Sequence, residues 1–98
     1  MTRVQHHALK LIADLARRYG VTLDATEPRI YVTIKINGAL RDAAEEWPFA
    51  SIITTQVTGD VLEVFHVFEG AEVTTHLPLA TILTAVGEPP EPTRRPES

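Results

Sequence analysis

Apolar positions first recur with a helical period. Val4, Ala8, Leu11, Ile12, Leu15 and Tyr19 fall at the i, i+4, i+7 and i+8 spacing of one helix face. Thr2, with Gln5 three positions on, has the make of a capping box: the hydroxyl accepts the third amide and the glutamine reaches back. Arg17 and Arg18 suit the negative end of the helix dipole, and Gly20 offers the left-handed residue on which a helix ends. The pattern predicts an amphipathic helix over 2–19.

The period drops to two at 29–36. Ile30, Val32, Ile34 and Ile36 alternate with Arg29, Tyr31, Thr33 and Lys35, which predicts a half-buried strand. Asn37-Gly38 then reads as a hairpin turn. The next stretch has helix-forming residues, but the turn asks for a returning strand, so a short strand is expected near 39–44, broken by Trp47-Pro48. Three β-branched, aromatic-rich runs follow at 49–58, 61–68 and 71–77, joined through Gly59-Asp60 and Glu69-Gly70. Pro78 opens a turn or single helical turn over 78–82, and 83–86 fits either a last strand or more helix.

The fold class expected is therefore α+β. An N-terminal amphipathic helix packs on one face of an antiparallel β-meander of four to five strands, as a two-layer sandwich. Residues 1–87 make this single domain. Residues 88–98 hold four prolines and no large apolar side chain, and are expected to be a disordered, Pro-rich tail.

Two-residue turns set the register. Val57 then opposes Leu62, Gln56 opposes Glu63, His66 opposes Val73 and Glu63 opposes His76. A side-chain period of two puts Phe49, Ile53, Val57, Leu62, Val64, Phe68 and Val73 on the inner face. Ile52, Phe65 and Val67 look outward among Thr54, Gln56, Glu63, Glu72, Thr74 and His76. An apolar patch on an outward sheet face usually meets something. The candidates are a second copy, another protein, or the chain's own Leu79, Ile82 and Val86.

Composition narrows the chemistry. The chain has 98 residues, 44% of them hydrophobic, which is one domain with one core. It has no cysteine, so disulfides and thiolate zinc sites are excluded. No apolar run approaches the roughly 20 residues of a membrane span, and the start lacks the apolar stretch of a signal peptide. A cytoplasmic location is the expectation. The net charge of −4 is uneven: residues 1–29 carry +2, residues 30–92 carry −7 and the last six +1. An acidic sheet weighs against nucleic acid and suits a partner with a basic rim, although acidic charge also simply keeps a sheet face solvated.

Gln56, Glu63 and His76 form a row across three strands in this register. A carboxylate beside an imidazole is how a general base is oriented, and it is also an ordinary cross-strand pair. There is no nucleophile elbow and no Gly-rich phosphate loop. His6 and His7 project about 100° apart on a helix, so they do not form a chelating pair, and neither a metal nor a cofactor is expected. His66 reads as a hydrogen-bonded residue of the core or its rim. Trp47, Phe49 and Tyr31 are candidate stacking platforms for a single-stranded nucleic acid, against the acidic charge around them. Pro89-Pro90-Glu91-Pro92 ahead of Arg94-Arg95 looks like a ligand for an aromatic-lined groove, though such tails also serve as flexible solubilising segments.

Seven of the nine basic residues are arginine. In this respect, and in its helix, meander and proline tail, the chain is similar to accessory reading frames of bacteriophages and high-GC bacteria. That likeness carries no motif and transfers no residue. The expected role is a non-catalytic protein–protein interaction or assembly module. It would bind a second copy or a basic-rimmed partner through Ile52, Phe65 and Val67, with Glu63 and Glu72 at the rim. A small enzyme or ligand binder using Glu63 and His76 is the alternative.

Overall fold

A computed structural model describes residues 1–24 and 26–87. Helix α1 (Arg3–Arg18) is the amphipathic helix its period predicts. Thr2 and Gln5 close the capping box, at 3.2 Å for the Gln5 amide to the threonine hydroxyl and 2.8 Å for the return bond. Gly20 ends the helix with φ 67°. Ala8, Leu11, Ile12 and Leu15 are buried, each leucine or isoleucine contributing roughly 1.5–3 kcal/mol.

Residues 29–42 are not a strand and a hairpin. They form a second helix, α2 (Arg29–Asp42), so the strands expected at 29–36 and 39–44 and the Asn37-Gly38 turn are corrected. Two periodicities coexist in this segment. Ile30, Val32, Ile34 and Ile36 alternate, but Val32, Ile36, Ala39 and Ala43 also stand at i, i+4, i+7 and i+11, and the structure buries that second set. β-Branched residues lower helix propensity by a few tenths of a kcal/mol each, which packing overrides. The helix also answers a need of the sheet, as its polar contacts show. The acidic connection before it is held by Lys35, whose ammonium donates to Thr22 O at 2.7 Å and to Glu27 at 2.8 Å. That ammonium, by its hydrogen bond, keeps the Glu27 carboxyl below its ordinary pKa.

After a cis Trp47–Pro48 peptide and a 3-10 turn over Phe49–Ser51, three strands follow: β1 (Ile52–Thr58), β2 (Val61–Phe68) and β3 (Ala71–Pro78). They form one antiparallel sheet in the order β1-β2-β3. The described sheet thus has three strands, not four or five. Both hairpins turn on two residues, with positive φ at Gly59 and at Glu69 and Gly70, as right-twisted hairpins require. The observed register pairs Val57 with Leu62, Gln56 with Glu63, His66 with Val73 and Glu63 with His76, as the turns predict.

Residues 79–87 continue as helix α3 (Leu79–Gly87), resolving the segment that the sequence left open between helix and strand. The Leu79 amide donates to Asp60 O at 2.8 Å, fixing the start of α3 on the first hairpin turn. Leu79 and Ile82 join α1, α2, Leu62, Val64 and Leu77 in a single core. All three helices therefore serve the inner face of the sheet, and α3 does not fold over the outer one. The tail expected at 88–98 lies outside the described residues. No described helix is long and apolar enough to cross a membrane.

Candidate functional site: the outer sheet face

The sheet edges explain how this surface is framed. The free edge of β1 is met by α2 rather than by another strand. Asn37 Nδ2 donates to Thr55 O at 3.0 Å, and the Thr55 amide and hydroxyl donate to Asn37 Oδ1 at 3.2 and 2.8 Å. One turn away, the Val57 amide donates to Thr33 Oγ1 at 3.2 Å. Thr33 and Asn37 thus stand in for a neighbouring strand, which removes an edge prone to unwanted pairing. On the far side, Gln5 of α1 donates to His76 O of β3 at 3.2 Å.

The inner face is sealed, and it buries a histidine. His66 is fully buried and its Nε2 lies 2.7 Å from the Thr75 hydroxyl. Nδ1 is buried with no hydrogen-bond partner. Burial, and then the nearby His7, push the imidazole pKa below its ordinary value. His7 packs on Phe68 with ring centroids 5.0 Å apart, and Arg3 lies over the same ring at 5.5 Å. The sequence placed His66 correctly on the apolar face.

The outer face carries Thr54, Gln56, Glu63, Phe65, Val67, Glu72, Thr74 and His76. Phe65 and Val67 look outward as expected, half-buried and exposed respectively. Ile52 does not. The register slips between Ile52 and Thr54, so one extra residue enters the strand and the two isoleucines exchange roles. Ile52 is 7% exposed and belongs to the core, whereas Ile53 is 55% exposed and takes the outward place. A bulge of this kind leaves no mark in an alternating apolar pattern, and only the pairing with β2 reveals it.

Glu63 and His76 meet across β2 and β3, with His76 Nε2 3.4 Å from Glu63 Oε2 and Gln56 next in the row. Glu72 is exposed one pair beyond Val73. The three aromatic candidates do not form one platform. Phe49 is buried against Tyr19, while Trp47 and Tyr31 are exposed. Among the described residues no group of three or more His, Asp or Glu gathers as a metal site.

A groove of about 450 Å3 opens at the Val67 end of the face. It is walled by His7, Trp47, Pro48, Val67, Phe68 and Gly70. Trp47, 77% exposed, is its lip. Trp47, one of the aromatic candidates, lines this groove together with Val67, a proximity with no local signal in the sequence because the two are 20 positions apart.

No protein-family model, curated protein or solved structure matches the chain.

Proposed function

We propose that this chain is a non-catalytic interaction module that docks a protein partner on the outer face of its sheet. The observation that carries this reading is the outward apolar row of exposed Ile53 and Val67 with half-buried Phe65 between them, which runs to the groove beneath Trp47. All described helices bury their apolar sides on the opposite face, so no packing among the described residues accounts for this row. An exposed tryptophan beside aliphatic side chains and a groove is the make-up of an interface centre. Glu63 and Glu72 give the face an acidic border, which favours a partner with basic groups at its rim.

The test needs no known partner. Phenol and isopropanol, added to isotope-labelled chain at low micromolar concentration, report adhesive surfaces by amide shift changes. The expected shifts gather on Ile53, Phe65, Val67 and the Trp47 indole, and Val67→Glu removes them. Shifts spread evenly, or gathered between α1 and α3, contradict the reading.

The Glu63–His76 contact supports a second reading, binding of a small ligand at that pair with Gln56 alongside. There, Glu63→Gln changes the ring nitrogen shifts that report the His76 tautomer. Unchanged shifts remove it.

A further inference from the structure

The surface that looks outward is wider than the sheet, and its extension comes from α2. Viewed down the helix at 3.6 residues per turn, Val32, Ile36 and Ala39 point into the core, and Thr33 and Asn37 point at the β1 edge. Ile30, Ile34 and Arg41 come next round the circumference, opposite the buried set. They therefore look to the same side as the outer sheet face, past the edge that Asn37 seals. Their exposure agrees: Ile30 is 65% and Ile34 57% accessible, and Arg41 is exposed. These two isoleucines, one turn apart on the solvent side of the helix, take no part in the core that the described residues form.

Area and charge together point to what covers this surface. Strands of seven, eight and eight residues present about 350 Å2 in projection. That is well short of the roughly 800 Å2 of accessible surface that each partner contributes to a standard interface. The α2 ridge adds a helix width of about 10 Å and brings the projection to about 550 Å2, and side-chain relief and the Trp47 lip carry the accessible area further. The charge is divided across the same surface. Arg41 stands on the α2 side and Glu72 on the β3 side, and neither forms an ion pair within the described residues.

The levels of these groups along the strands also match. α2 runs antiparallel to β1, with Thr33 beside Val57 and Asn37 beside Thr55, so position 41 comes level with Ile53. Glu72 pairs with Val67, next to the His66 that faces Ile52. Arg41 and Glu72 thus lie at the same end of the sheet, on opposite margins of one surface. A twofold axis in the interface plane, parallel to the strands, exchanges those margins and keeps the levels.

We infer that the partner on this face is a second copy of the chain, packed face to face about such an axis. Each α2 ridge covers the other copy's β3. Arg41 meets the partner's Glu72, Ile30 covers the partner's Pro78, and the two β1–β2 regions bring Ile53, Phe65 and Val67 together at the centre. The alternative twofold, in the plane and perpendicular to the strands, sets α2 on α2 and reverses the levels, so that Arg41 and the partner's Glu72 lie on opposite margins and cannot pair, and is disfavoured for that reason. This inference rests on the docking reading above and adds the identity and arrangement of the partner.

Sedimentation equilibrium of the full chain tests it, with variants at exposed positions that leave the core intact. The wild type is expected at twice the 10.8 kDa chain mass. Arg41→Glu and Glu72→Arg each weaken association at least tenfold, and the double exchange restores it. Ile34→Glu abolishes the dimer. A monomer at every concentration overturns the second copy; if phenol and isopropanol still gather on Val67, the docking reading survives with a foreign partner, and if they do not, both fail. A dimer unaffected by Ile34→Glu, or one weakened by both single exchanges and not restored by the double, overturns the arrangement.

Discussion

Replacing Asn37 by alanine should unsettle the sheet far more than a helix-surface substitution ordinarily does. Three hydrogen bonds end on this one side chain, and they serve both backbone groups of Thr55 on the open edge of β1. Each contributes about 1 kcal/mol net, and a part-buried amide or carbonyl left unpaired costs a further 1–3 kcal/mol. Alanine returns about 0.5 kcal/mol of helix propensity. The expected net loss is about 4 kcal/mol, a large share of the roughly 5–10 kcal/mol available to a domain of this size. Urea unfolding followed by circular dichroism measures it as a lower midpoint at unchanged slope. Amide exchange should quicken first at Thr55. Thr33→Val, which removes the single bond to the Val57 amide, should cost about 1 kcal/mol. A loss below about 1 kcal/mol for Asn37→Ala, with Thr55 still protected, would refute the role of α2 as the closure of this edge.

Other expectations follow from single features. Gly38 lies inside α2 without a positive φ, and an added Cβ would meet only the Arg41 guanidinium at 3.9 Å. Gly38→Ala should therefore stabilise by about 0.5–1 kcal/mol in thermal unfolding, whereas a hairpin turn at Asn37-Gly38 would make the same change destabilising. His66 is held neutral by burial, so the unfolded chain binds more protons below about pH 6.5. Its contribution to stability is intact above that pH. It is lost as pH falls, by up to about 1.4 kcal/mol per unit, until the folded-state pKa is passed. NMR titration should find the His66 midpoint below 6.5, and a midpoint above it contradicts the burial argument. Ile52→Ala should cost about 2–4 kcal/mol and Ile53→Ala less than about 0.5 kcal/mol in urea titrations at dilute chain, and equal costs would contradict the bulge.

The parts of the fold that were legible in the sequence are those coded locally. Thr2, Gln5 and Gly20 mark the ends of α1 within a few residues of chain. Gly59-Asp60 and Glu69-Gly70 set two tight turns whose lengths dictate the strand register, and with it the outward Phe65 and Val67 and the Glu63–His76 contact. What escaped was coded between elements. The run 29–36 supports either period, and the choice belongs to β1, whose edge needs Thr33 and Asn37 one turn apart on a helix. Asn37-Gly38 is a strong turn signal only where the chain is free to turn. The bulge that exchanges Ile52 and Ile53 likewise depends on β2. As a result the outer face was foreseen on the correct strands, with one residue misplaced and with the α2 ridge missing.

Contact between two copies across the outer face is itself measurable. In an equal mixture of isotope-labelled and unlabelled chain, filtered nuclear Overhauser spectra register only signals between copies. Cross-peaks are predicted from the methyls of Ile30 and Ile34 to Thr74, His76 and Pro78 of the other copy. Intermolecular cross-peaks confined to α1 or α3, or none at millimolar chain, would contradict it.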